Sequence, residues 1–410
     1  MSVVLLAIGD ELLRGESREG NGPVLAEALS SRGLALTEIR VIGDDLAGMG
    51  RTLADLGSRA KLVVCSGGLG PTDDDVTRQA LATAAGVTLE RDAAALAALQ
   101  QRFRRLGREM DPSNARQADI PLGATLLANA HGTAPGFALR LGDSVVACFP
   151  GVPREFAGML ADHLDTLLQA SGLEGVSGRR EVTLRLFGIT ESDMQGVLGR
   201  LPHYGCVAMR SLPDFPEIRL KFAERDDPAG YDALLQEARQ ALGWRIHGEG
   251  DGDSHAAAVL RALQAHGVRL AVAESCTGGL LGHLLTEVPG ASAGLVADVV
   301  AYANEAKVAL LDVAPDLLER HGAVSDEVVR AMAEGARKRC GADLAVATTG
   351  IAGPGGGTAE KPVGTVHIAV AGERGVTARK VAIPGLDRWR FKRLVAHMAM
   401  ADVRRYLAGR

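Results

Sequence analysis

Ala271–Gly279 reads AVAESCTGG, and the placement of the C-terminal sequence follows from it. The apolar run Val268–Val272 predicts a short strand and Leu280–Thr286 a helix, with a hydroxyl, a thiol and two glycines in the turn between them. A helix N-terminus exposes unpaired N–H groups and favours developing negative charge. Ser275 can therefore be a nucleophile whose oxyanion is received by nearby amides, with Gly278 and Gly279 allowing close approach. The plainer alternative is that Ser275 or Thr277 is a helix N-cap.

Three segments downstream weigh on that choice: AYANEAK (Ala301–Lys307), HGAVS (His321–Ser325) and TTGIAGPGGGTAEKPVGT (Thr348–Thr365). Asn304 is placed to cap a helix with Lys307 in its first turn, where the positive dipole end lowers a lysine pKa. A lysine titrating nearer neutrality can take a proton from a serine hydroxyl; otherwise it is a solvated surface charge. Tyr302, at the strand end, can relay or orient. TTGIAGPGGG follows the strand ADLAVA and suits a mononucleotide phosphate or an oxyanion, with contacts expected at Thr349, Gly350, Gly353 and Gly355. Lys361 and Arg388 are candidate phosphate partners. Cys276 is a rival nucleophile on intrinsic reactivity.

From about residue 255 onward these motifs resemble the C-terminal domain of the competence/damage-inducible protein A (CinA) family, also found alone as a nicotinamide-nucleotide amidohydrolase. The resemblance implies an α/β domain that hydrolyses nicotinamide mononucleotide to nicotinate mononucleotide and ammonia, without a cofactor. Ser275 would attack the carboxamide carbon, with Lys307 as base and then proton donor to ammonia, and Tyr302 beside them. Amides from Cys276 to Gly279 would hold the oxyanion. Thr277, Gly278, Gly279, Thr349, Gly350, Gly353, Gly355 and Arg388 would contact the nucleotide. The resemblance favours the serine over Cys276. One departure stands out: Ala297–Asp298 occupies the place of the family's usual Gly-Gly before the VVAY strand, adding a charge there.

At 410 residues the chain is long enough for two or three cores. Its 47% hydrophobic and 23% charged composition is that of a globular protein, and a net charge of -5 provides no global basic field for nucleic acid. Only seven of the 45 basic residues are lysines (61, 221, 307, 338, 361, 380 and 392), so a lysine inside a motif attracts notice. Five scattered cysteines without a CxxC pair suit a reducing compartment. MSVVLLAIGDELL is apolar but meets acids at Asp10 and Glu11 and lacks a basic n-region, which predicts a first strand, and no run approaches the roughly 20 apolar residues of a membrane span. The cytoplasm is the expected location.

Over 1–170 short apolar runs (VVLLAI, ALTEIRVIG, AKLVVCSGG, SVVACFPG) alternate with helical periods, predicting a parallel, doubly wound sheet. Ligands gather at the carboxyl ends of such strands. SGGLGPTDDD (Ser66–Asp75) lies at one: Gly67, Gly68 and Gly70 predict a backbone nest for phosphate, leading into the helix DVTRQALATAAG. Three carboxylates beside a phosphate need a cation between them, which makes Asp74 and Asp75 natural Mg²⁺ ligands, although acids at a helix start also suit the dipole.

IGDELLRGE, GNGPVLAEALSSRG, SGGLGPTDDDVT and FPGVPREF resemble the N-terminal domain of the same family, which shares its fold with molybdopterin-binding proteins. The resemblance implies divalent-metal-dependent hydrolysis of ADP-ribose to AMP and ribose 5-phosphate. It sets Asp10 and Glu11 beside the nucleotide and Gly67, Gly68, Pro71, Thr72, Asp74 and Asp75 in a phosphate and metal loop. Asn21, Asn114, Gly132, Thr133, Pro150 and Gly151 would line the pocket.

SGLEGVSGRRE (171–181) and GDGDS (250–254) read as linkers around a small α+β block over 171–250, with 255–410 as the third block. The middle block resembles the family's KH-like domain, and its Glu191 is implied to reach the first site unless it is only a helix-start acid. Its Gly196–Gly199 GxxG lies in an apolar helical pattern, unlike an RNA-clamping loop. The family also implies a homodimer. Two other readings remain open: a nucleotide- or pterin-binding protein without turnover, and a non-enzymatic partner in competence or DNA recombination.

Overall fold

Alternate side chains of a strand point to opposite faces, so a strand apolar at every position must be covered on both. Val3–Ile8 is such a strand. In a computed structural model, which describes residues 2–173, 180–225, 227–250 and 252–409, the chain divides into two compact units, Met1–Arg179 and Arg180–Arg410. Most of the first expected linker, and position 251 of the second, lie outside the described residues.

In the first unit Val3 and Leu5 join one apolar cluster with Leu25, Leu29, Phe156 and Leu164, while Val4, Leu6 and Ile8 join another with Met49, Leu53 and Leu81. Helices Asn21–Ser30 and Pro153–Ala170 cover the first face; Leu46–Arg59 and Thr77–Ala85 cover the second. The six strands lie in the order Leu36–Ile42, Val3–Ile8, Leu62–Ser66, Ser144–Phe149, Gly136–Leu141 and Thr125–Leu127. The first four are parallel, as expected, and the last two extend the sheet antiparallel. From Val3–Ile8 the chain steps outward to Leu36–Ile42, then crosses back to pair Leu62–Ser66 on the other side. That reversal leaves a crevice at the carboxyl ends of Val3–Ile8 and Leu62–Ser66.

The second unit holds two sheets. One is antiparallel, in the order Val207–Asp214, Glu217–Glu224, Glu181–Leu186, Ile246–Glu249. Its outer strands escape sequence reading because Val207–Asp214 buries only Val207 and shows no alternating apolar face, and Ile246–Glu249 has four residues. Gly196 lies inside the helix Glu191–Leu198 and Gly199 is its C-cap, so the GxxG forms no loop.

The other sheet runs Leu295–Val300, Leu270–Glu274, Leu344–Gly350, Thr365–Gly372, Gly375–Ala382, the first three parallel. It repeats the outward step and return of the first unit, placing a second reversal between Leu270–Glu274 and Leu344–Gly350. The expected strand Val268–Val272 is shifted by two residues, and the expected helix Leu280–Thr286 is found as such. One face is built of Val272, Val346 and Ile368, the other of Ala271, Ala273, Ala345 and Ala347. The alanines let Asp326–Arg339 lie close against the sheet and against the helix Asn304–Leu311.

Gly335 marks the tightest point, since a Cβ there would stand 1.8 Å from the Leu311 carbonyl oxygen. Backbone cannot yield as a side-chain tip can. Gly335→Ala is therefore expected to destabilise this unit by about 1–3 kcal/mol and lower its thermal midpoint in a melting experiment. No helix among the described residues is long and apolar enough to cross a membrane.

Candidate active sites

Ser275 follows Leu270–Glu274 and keeps 8% exposure; Lys307, on Asn304–Leu311, keeps 1%. Lys307 Nζ stands 3.2 Å from Ser275 Oγ, 2.9 Å from the Ala301 carbonyl oxygen and 3.0 Å from that of Tyr302. Burial pushes the ammonium pKa down. A neutral amine has two N–H donors, which the two carbonyls engage, and one lone pair, which is left for the serine proton. Asn304 does not cap this helix as the sequence suggests: Ala303 holds the cap position, and no side chain caps it. The Tyr302 phenol is 59% exposed and accepts from Arg388 at 2.7 Å, so the tyrosine meets Lys307 through its backbone and not its hydroxyl.

Cys276 points into the core, and burial pushes its thiol up to about 12. A thiol held protonated at neutral pH is a poor nucleophile. The geometry thus separates the two neighbours that chemistry alone left as rivals.

Glu274, fully buried, accepts the N–H groups of Gly279 (2.9 Å) and Gly282 (2.8 Å). This carboxylate, missed in the sequence, fixes the turn after Ser275 and occupies one of the amides expected to hold an oxyanion. Cys276, Thr277 and Gly278 remain. Thr277 Oγ1 meets Thr348 Oγ1 at 2.8 Å, packing inward. A Cβ on Gly278, whose φ is +61°, would lie 3.4 Å from Lys392 Nζ, so a second lysine from the last helix stands beside the turn. Thr349 donates to Ala323 O, Lys361 to His321 O, and Arg388 to Gly353 O, which ties HGAVS and the glycine-rich segment to the sheet end. Gly350 ends the strand Leu344–Gly350; Gly355 lies in the loop beyond.

Asp298 pairs across the sheet with Val272, and burial together with the Glu274 carboxylate raises its pKa to about 7. An unfolded Asp titrates near ~3.9. Between about pH 4 and pH 7 the folded chain therefore holds a proton that the unfolded chain lacks, and stability falls as pH rises through that window. Asp298→Asn removes this loss. The variant is expected to melt slightly above the wild type at pH 8 and close to it at pH 4; the solvent exposure of Asp298 screens the carboxylate pair and keeps the effect small.

In the first unit a cleft of about 470 Å³ occupies the strand reversal, a size typical of small-molecule sites. Glu11, Gly67, Gly68, Gly70, Pro71, Asp74, Asp75, Thr133, Pro150 and Gly151 line it as expected, joined by Asp44, Gln117 and Glu155. Asp10, Asn21, Thr72, Asn114 and Gly132 lie outside this lining. Asp10 is ion-paired to Arg14 at 2.7 Å and holds Asp44 through its N–H. Asn21 Nδ2 ties Ser66 Oγ to Gly151 O, and Asn114 Oδ1 accepts from Gln117. Gly132 N–H donates to Asn129. Glu191 belongs to the second unit, where it accepts from Ser211 at 2.6 Å.

Two of the three glycine amides expected to form a nest are already used: Gly67 N–H donates to Phe149 O and Gly70 N–H to Asp75. Close packing explains Gly67, for at φ +113° a Cβ would stand 2.3 Å from Ile8 O. The helix starts at Thr77, so Asp74 and Asp75 precede it. Asp75 accepts from Gly70 N–H, Thr72 N–H (both 2.8 Å) and Thr72 Oγ1 (2.5 Å), making it the latch of the loop. Arg78, buried beneath, donates to Leu69 O and Gly70 O, and burial brings its pKa down to about 10. Burial and the charges of Asp10, Glu11 and Asp74 push the Asp44 carboxyl up. Gln117 Oε1 is buried without a hydrogen-bond partner.

Compared with known proteins, residues 252–407 match the family described as the CinA C-terminal domain, and residues 4–170 that described as a probable molybdopterin binding domain. A CinA-like protein of Anaeromyxobacter sp. (strain Fw109-5) is 43% identical over 406 residues, 98% of either chain. The chain belongs to the CinA-like family. Another CinA-like protein, of Geobacter metallireducens, is 40% identical over 420 residues, 99% of either chain. Among solved structures, the competence/damage inducible protein CihA from Agrobacterium tumefaciens shares 40% sequence identity, covering 36% of this chain and 89% of its own with a TM-score of 0.35. In this CinA-family chain each matched segment contains one of the two candidate sites, Ser275 and Lys307 in one, Asp74 and its neighbours in the other.

Proposed function

We propose that the second unit hydrolyses the carboxamide of nicotinamide mononucleotide. The reading rests on one observation, the 3.2 Å contact between Ser275 Oγ and a buried Lys307 whose pKa is lowered. Lys307 takes the hydroxyl proton as Ser275 Oγ bonds to the carboxamide carbon. The same proton then goes to the leaving nitrogen as the C–N bond breaks and ammonia departs. Water, deprotonated by Lys307, cleaves the resulting ester to nicotinate mononucleotide and free serine. The free amides of the turn receive the oxyanion, and Lys392 and Arg388 offer charge to the phosphate. Ammonia release from nicotinamide mononucleotide by the purified chain tests this; no release by the wild-type chain overturns it.

The acidic cleft supports a second activity, hydrolysis of ADP-ribose to AMP and ribose 5-phosphate. Glu11, Asp44 and Asp74 line the cleft with hard-oxygen donors of the kind Mg²⁺ takes, and burial together with the charges of Asp10, Glu11 and Asp74 raises the Asp44 pKa. Asp75 fits less well, its oxygens being taken by the loop. Such a cation, when bound, supplies charge neutralisation on the phosphates and an acidified water. The chain itself contributes a latched glycine turn and an unpartnered Gln117 oxygen for the substrate.

A further inference from the structure

Where the antiparallel sheet of the second unit meets the helices His255–His266 and Arg388–Leu407, four residues that play no part in either proposed reaction converge. Glu217 and His247 come from the sheet, His255 and His397 from the two helices. All four are buried, with exposures of 7%, 4%, 1% and 5%. Ligand atoms of Glu217, His247 and His255 lie within 4.8 Å of one another.

The polar atoms there are poorly used. His247 Nε2 stands 2.9 Å from Glu217 Oε1, while His247 Nδ1 and His255 Nε2 lack hydrogen-bond partners. Leaving such atoms unmatched in the interior is costly. His397 Nδ1 stands 3.5 Å from Glu217 Oε1 and 3.4 Å from His255 Nδ1. Two ligands on one tetrahedral zinc, with bonds of ~2.0–2.1 Å, are separated by roughly 3.3 Å. The backbone also departs from regularity: the pairing with Glu181–Leu186 slips between Ile246 and Gly248, so His247 sits in a bulge, a device that re-aims a side chain.

We infer that Glu217, His247, His255 and His397 form a zinc-class metal site joining the sheet to the two helices. Three imidazoles and one carboxylate match zinc's preferences. Arg185 donates to Glu217 Oε2 at 2.7 Å, holding the carboxylate with Oε1 turned toward the histidines, as an outer partner of a metal ligand does. Phe187 packs its ring on those of His255 and His397, making an apolar wall. A pocket of about 380 Å³ lined by Glu217, His255, His397 and Arg393 provides an entry path. With ligands from both sides the ion would act as a staple, not a catalyst.

The test uses the full chain, purified without chelator, stripped, and titrated with Zn²⁺ against a competing chelator. One zinc per chain is expected, with His247→Ala and Glu217→Gln each weakening it at least ~10-fold and Asp74→Asn leaving it unchanged. The Co²⁺-loaded wild type is expected to show the strong visible bands of tetrahedral coordination. That spectrum needs no variant to fold, and it separates this site from the all-oxygen cleft of the first unit. A wild type that binds no Zn²⁺, a cobalt spectrum that is only octahedral, or a folded His247→Ala/His255→Ala chain with unchanged affinity would overturn the assignment.

Discussion

Ser275→Ala is expected to lower the turnover of nicotinamide mononucleotide by about 10³-fold or more, a loss of roughly 4 kcal/mol in transition-state stabilisation. Lys307→Ala should do the same, because without the amine nothing at 3.2 Å removes the serine proton. The double variant should lose little beyond either single one, as residues acting as a unit are not additive. Cys276→Ala should keep most activity, since its thiol is buried and held protonated. The wild-type rate should rise with pH along a limb set by Lys307, at a pH below the ordinary lysine range because burial favours the neutral amine. Ammonia release across a pH series checks all of this. An active Ser275→Ala chain, or a dead but folded Cys276→Ala chain, would move the nucleophile elsewhere. Thermal melting of Lys307→Ala belongs beside the kinetics, because the carbonyls of Ala301 and Tyr302 lose their donor.

The second large effect divides two adjacent carboxylates. Asp74→Asn removes an exposed cleft acid, held only by a Thr72 hydrogen bond and its own backbone, and is expected to abolish metal-dependent cleavage of ADP-ribose while changing the melting of the first unit little. Asp75→Asn is expected to lose turnover too, but by loosening the loop. An amide cannot accept from Gly70 N–H, Thr72 N–H and Thr72 Oγ1 as a carboxylate does, and the mismatch costs about 1–3 kcal/mol. Product analysis with ADP-ribose, with and without Mg²⁺, combined with melting curves, separates the two. Equal loss of stability in both variants would refute the division of roles.

Much of this was legible in the chain because it is carried by local signals. Strands such as Val3–Ile8 and Leu62–Ser66 are apolar throughout, which already requires a sheet covered on both faces. The strand–turn–helix around Ser275 and the glycine-rich segments lie in single short stretches, so their sites could be read without a fold. Asp44, Lys392 and Gln117 could not, since each lies far in sequence from the residues it serves or carries no motif of its own; Glu274 stands within the Ser275 stretch, but its burial and its two amide partners are set by the fold.

The sequence by itself therefore determined the α/β architecture, the strand ends where chemistry gathers, and Ser275 with Lys307 as a pair worth testing. Tertiary structure alone decided which groups meet, and in what state. It buried Lys307 between two carbonyls, sealed Cys276 in the core, spent the Gly70 and Gly279 amides on Asp75 and Glu274, and brought His247, His255 and His397 to Glu217. The reason is physical: periodicity and turn chemistry act between near neighbours in the chain, whereas desolvation and hydrogen-bond partnership depend on what packing brings from elsewhere.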